Sequence, residues 1–159
     1  MPQVLVETID SHHRELLRAL DRVEALVRAP RSGDELATAI ETVRRSLLAH
    51  ELTAERFVVG PLRDSHLLVD GELDALRAEL DQLSQDAVRL GNGEPAPEAV
   101  AAFVRDARRH IQRKTRAVAP AARAAAAAGR LSAVPRWYVE EVYGQQGDPG
   151  ARPPEEWLG

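Results

Sequence analysis

Apolar positions recur along this chain every three or four residues, the spacing of one face of an α-helix rather than the alternation of a strand. Over about residues 4–29, Leu5, Ile9, His13, Leu16, Leu20, Val23 and Val27 fall on one face, and Pro30 stops the pattern. Ser32, Gly33, Asp34 and Glu35 then read as a capping box, in which the Ser32 hydroxyl and the Glu35 carboxylate each satisfy an otherwise free backbone N–H. The stripe that follows is Leu36, Ile40, Val43, Leu47, His50 and Ala54, continued by Phe57 or Val58 and ended by Gly60 and Pro61. After a short connection at 62–65, a third stripe from Val69 through Leu73, Leu76, Leu80 and Leu83 to Leu90 is wholly apolar, with His66 near its start as a solvated surface residue. Residues 91–97 form the clearest loop, and a fourth helix starts at Pro97 and continues to Gly129 with a kink at Pro120. Four amphipathic helices joined by short loops predict an all-α, up-down-up-down four-helix bundle over residues 1–129.

The fourth stripe carries two residues that do not suit an apolar core. Phe103, Ala107, His110, Lys114, Ala117 and Ala121 share its face, so an imidazole and an amine point where the core should be. Lys114 is also the only lysine of the chain, which uses arginine for every other cationic side chain. Its stem can lie along the core with the head in solvent, or the amine can be held inside. Histidines recur on the first two stripes as well, at His13 (with His12 on its shoulder) and at His50. A single inward histidine is most often a hydrogen-bonded core residue; three on three helices suggest a shared polar layer.

Composition narrows the class. The chain is 159 residues long with 44% hydrophobic and 4% aromatic residues, which suits one helical domain with a real core. A net charge of -4 argues against nucleic acid as the main partner. Without cysteine there is no disulfide framework and no thiolate site. No leader-like start and no apolar run long enough to span a bilayer are present, so a cytoplasmic protein without a membrane partner is expected. Residues 130–159 differ: Trp137, Tyr138, Tyr143 and Trp157 gather there, which predicts a short helix at about 135–143 followed by an irregular extension. Those rings either cover an open part of the bundle or dock a partner or second subunit. Arg105, Arg108, Arg109, Arg113 and Arg116, opposed locally only by Asp106, read as a solvated face paired with acids of neighbouring helices.

The stretch Leu47-Leu48-Ala49-His50-Glu51-Leu52-Thr53-Ala54-Glu55-Arg56-Phe57-Val58-Val59-Gly60-Pro61 resembles the second-helix signature of the hemerythrin-like HHE cation-binding family. In that signature a histidine, a glutamate (usually a Glu-Glu pair) and an apolar stretch ending in proline follow one another. His110 to Pro120 resembles its repeat on the fourth helix, and Ser11-His12-His13-Arg14-Glu15-Leu16 the first-helix histidine motif. Glu72-Leu73-Asp74-Ala75-Leu76-Arg77 resembles the third-helix motif, where Glu-His is the family pattern. The resemblance spans about residues 4–121 and implies a bundle holding a non-haem metal pair, typically two irons. It makes His13, with His12 as alternative, His50 and His110 matching ligands, and Glu55 the second member of the Glu-Glu pair. Ala54, Leu73 and Lys114 then stand where ligands are expected. Pro61 lies one residue further along than the pattern has it, so a shifted register with Glu51 and Glu55 at the ligand positions stays open; Glu72 is a further alternative.

A metal pair needs bridging carboxylates to offset its charge, and Ala54 and Leu73 offer no donor while a protonated Lys114 opposes a cation. The expectation is therefore a degenerate site without a di-iron centre or cofactor, on a bundle that binds or regulates through a small ligand or a protein, rather than an enzyme. Lys114 would be compensated by Glu55, Glu72 or Glu15. The alternative is one zinc, copper or iron on His13, His50 and His110, or di-iron in the shifted register. A third reading takes Lys114 as an amine for carbonyl chemistry.

Overall fold

The computed structural model describes residues 2–29, 33–68 and 70–131, with side chains described except those of 2–11 and 70. Among the described residues there is helix and no strand: α1 (Pro2–Arg28), α2 (Gly33–Ala54), a π-helical turn (Glu55–Val59), α3 (Gly60–Asp64), α4 (Asp70–Gly91) and α5 (Pro97–Ala127). α1 packs on α2 and α5, and α4 also packs on α2 and α5, so the four long helices close a ring around one interior. This is the four-helix bundle that the stripes predict. Ser32, and with it the proposed capping box, lies outside the described residues, as do the aromatic rings and short helix expected beyond residue 131.

Two apolar clusters fill the interior. The larger joins all four long helices through residues such as Leu16, Leu20, Ile40, Leu47, Leu83 and Phe103. The smaller lies beyond it and includes Val58, Val59, Leu62, Leu73, Val118 and Ala122. Val58 is 1% exposed while Phe57 is only partly buried, which decides which of the two continues the α2 stripe. Burying a Leu or Val side chain contributes ~1.5–3 kcal/mol, so the two clusters are the main source of stability. His50, His110 and Lys114 are buried with them.

The second helix does not stop at Gly60 and Pro61. It widens into the π turn and continues through α3 to Asp64. A π turn carries one residue more than the α turn it replaces, a local counterpart to the one-residue displacement of Pro61. The Gly60 N–H bonds to the Glu55 carbonyl, and a Cβ on residue 60 would sit 2.9 Å from that same oxygen, so the turn requires glycine there. The real stop is His66, in the left-handed region at φ 57, with His66 N–H donating to Arg63 O and Leu67 N–H to Leu62 O. The end of α5 repeats this pair of bonds around Gly129 at φ 68. His66 is exposed, as expected from its position.

α5 begins at Pro97, whose missing N–H costs nothing in a first turn, and runs as one helix past Pro120. Pro120 is exposed and so is Arg116, whose carbonyl loses its usual donor, leaving that oxygen on the water side. None of the described helices is long and apolar enough to cross a membrane.

Candidate functional site

Lys114 lies at the centre of the polar interior, 8% exposed, and borders the clefts on both sides of α5. Its amine donates a hydrogen bond to Glu51 Oε2. The compensating acid is thus Glu51, not Glu55, Glu72 or Glu15. Glu55 is turned to Arg63 and Arg77 at 3.2 and 3.3 Å, while Glu15 and Glu72 are exposed. Glu51 follows Leu47 by four residues and precedes Ala54 by three, so helical geometry puts it beside the stripe, one step round from His50.

On the side of α4, Glu51 Oε1 lies 3.2 Å from His110 Nε2, and Glu79 Oε2 lies 3.3 Å from His110 Nδ1. Glu79 also pairs with Arg113. A continuous polar chain therefore runs from Arg113 and Glu79 near the surface through His110, which is 2% exposed, to Glu51 and Lys114. Burial alone would raise the Glu51 carboxyl, but the His110 ring and the Lys114 ammonium outweigh it and hold the group down to about 2.

On the side of α1 the chemistry differs. His13 and His50 meet with ring centroids 4.5 Å apart and line a cleft of about 70 Å³ whose other walls include Ala54, Val58, Val118 and Ala122. Burial pushes the His50 imidazole down to about 3, and the neighbouring His13 and Lys114 push in the same direction. His12 is itself buried at 8%, and burial lowers it too. Both members of the pair thus face inward, because α1 is wedged between α2 and α5 and presents a face wide enough to take two adjacent residues.

Of the residues singled out from the sequence, His13, His50, Ala54 and Lys114 share this cleft. His110 is held apart from it by its two carboxylates, so the three histidines do not form one triad. Leu73 packs in the smaller apolar cluster. Among the described residues no group of three or more His, Asp or Glu side chains is placed to hold a metal ion. Glu79 was missed in the sequence, although it follows Leu76 by three residues and precedes Leu83 by four, on the inner edge of the α4 stripe. The arginines of α5 meet acids: Arg108 reaches Asp21 and Glu24 of α1 at 2.7 and 3.1 Å, and Arg105 and Arg109 flank Asp106.

An antiparallel four-helix ring with histidines directed inward from α1, α2 and α5 is the architecture of the bundle proteins that place metal ligands on facing helices. The family model of the hemerythrin HHE cation-binding domain matches residues 4–132, and the chain belongs to that family. Nothing among curated proteins or solved structures matches the chain.

Proposed function

We propose that this hemerythrin-like bundle is a binding or regulatory domain with a degenerate metal position, and not a di-iron oxygen carrier. The observation that carries the reading is the buried hydrogen bond between Lys114 and Glu51. The donors present do not fit the family's metal pair. An ammonium lies where a cation would have to sit, and the nearest inward carboxylate is engaged in compensating that ammonium. Ala54 offers no donor, and Glu55 is committed to two arginines. Two imidazoles alone, His13 and His50, fall short of the carboxylate-bridged ligand set a metal pair requires.

The test is metal content by plasma mass spectrometry after loading with ferrous iron or zinc, on the wild type and on Lys114→Glu. Well under one metal per chain is expected for the wild type. The substitution removes the opposing charge and adds a carboxylate beside His50 and His110, so uptake is expected to rise. Two irons per wild-type chain would overturn the reading and restore the shifted register through Glu51 and Glu55.

A further inference from the structure

The cleft between α1, α2 and α5 has one-sided chemistry. Among the described residues, every charged or imidazole group that lines it is nitrogenous: His13, His50, Lys114 and Arg123. Among the described residues no carboxylate lines it, although the chain as a whole is acidic, with net charge -4. Apart from Thr115, whose hydroxyl donates to the Ile111 carbonyl, the remaining described wall is small and apolar, with Val58, Val118 and Ala122. Lys114 is about nine-tenths buried and has three N–H donors, of which the described residues use one, for Glu51. His50 is 5% exposed, and no hydrogen bond from a described side chain reaches its ring. Arg123 is exposed on the cleft wall, and no described carboxylate pairs with it. N–H donors with unused capacity on the wall of a largely apolar cleft favour a ligand that brings an acceptor.

We propose that the cleft binds a small organic anion, a short-chain aliphatic carboxylate, with its head on Lys114, His50 and Arg123 and its tail against Val58, Val118 and Ala122. The carboxylate accepts an N–H from Lys114 that Glu51 leaves unused, and from the exposed Arg123 guanidinium at the cleft wall. The His50 ring, held neutral by burial, supplies a further N–H without adding charge. A cleft of about 70 Å³ limits the tail to a few carbons. The apolar wall gives the tail a place that a bare inorganic anion cannot use. This assignment rests on the reading that Lys114, and not a metal, occupies the centre of the bundle.

Isothermal titration calorimetry of the full chain, with its metal content measured on the same sample, tests the proposal. Butyrate is the probe; butyramide, of the same shape without the charge, and chloride, a charge without the tail, are the controls. Butyrate is expected to bind at one per chain, at least tenfold more tightly than either control. Arg123→Gln, an exposed change, is expected to weaken butyrate about tenfold or more. Ala122→Phe, which fills the cleft, is expected to abolish binding while thermal melting shows the bundle intact. Equal binding of butyrate and butyramide, binding unchanged in Ala122→Phe, or no heat with butyrate would each overturn the proposal. Metal on the chain with no butyrate binding would instead mark failure of the underlying reading, because the measured metal separates the two.

Discussion

The two sides of Lys114 are built from adjacent residues and have opposite chemistry. His50 faces the cleft with His13, where no described carboxylate is present and the walls are mostly apolar. Glu51, the next residue on α2, faces His110 and, beyond it, Glu79 and Arg113. A step of one residue turns about 100° around a helix, and the amine of α5 reaches Glu51 while bordering both clefts. The division shows how the bundle turns histidines inward from three helices without gathering them around a common point. The charge of the amine is compensated on the α4 side, which leaves the α1 side, among the described residues, with donors and no acid.

The strongest way to break this comparison is to remove the acid. Glu51→Leu leaves Lys114 buried without its partner and is expected to cost ~3–5 kcal/mol in urea denaturation. The corresponding change across the divide, His50→Leu, replaces a neutral ring that no described residue hydrogen-bonds with an apolar side chain of similar size and is expected to lie within about 1 kcal/mol of wild type at about pH 7. Adding Lys114→Met to Glu51→Leu should recover most of the loss, which a double-mutant cycle reads directly. Comparable costs for the two Leu substitutions would erase the distinction.

Acid separates the sides by where each begins to act. The folded His50 stays neutral down to about 3, against 6.5 when unfolded, so the unfolded chain binds the extra proton and stability falls as pH drops below 6.5. From pH 6.5 to 4.5 this amounts to ~2–3 kcal/mol at ~1.4 kcal/mol per pH unit. Glu51, held down to about 2 from 4.5, contributes stability that is present above 4.5 and is lost only as pH falls from there toward 2. Denaturation midpoints measured across pH should therefore show a first decline that His50→Leu reduces, leaving the part due to the buried His12, and a second, below 4.5, that it leaves.

A smaller effect is expected from the turn that follows both residues. Gly60→Ala places a Cβ 2.9 Å from the Glu55 carbonyl and is expected to destabilise by ~1–2 kcal/mol as the π turn shifts. Thermal melting measures it, and a neutral result would mean that the turn yields without strain.

Much of the fold was legible because it rests on period. The stripes located all four long helices, and Pro97 marked the start of α5. The end of the second helix was misread because Gly60 and Pro61 are usual stop signals, whereas here the glycine admits a carbonyl that a side chain would block. The histidines and Lys114 were legible as an inward set for the same reason of period. What period cannot show is which neighbour a residue meets: His110 shares a stripe with Lys114 yet points to α4, and Glu51 and Glu79 sit beside their stripes rather than on them. Those two acids complete the polar interior, and only the packing of α2, α4 and α5 brings them together.

Because Lys114 is the only lysine, its amine gives a single resonance in protein labelled with lysine ζ-nitrogen-15, and that resonance is the most direct report on the divide. A buried ammonium bonded to Glu51 should show protons that exchange slowly with water and a shift that changes on Glu51→Gln. A fast-exchanging resonance, indifferent to that substitution, would place the amine in solvent and contradict the division of the site.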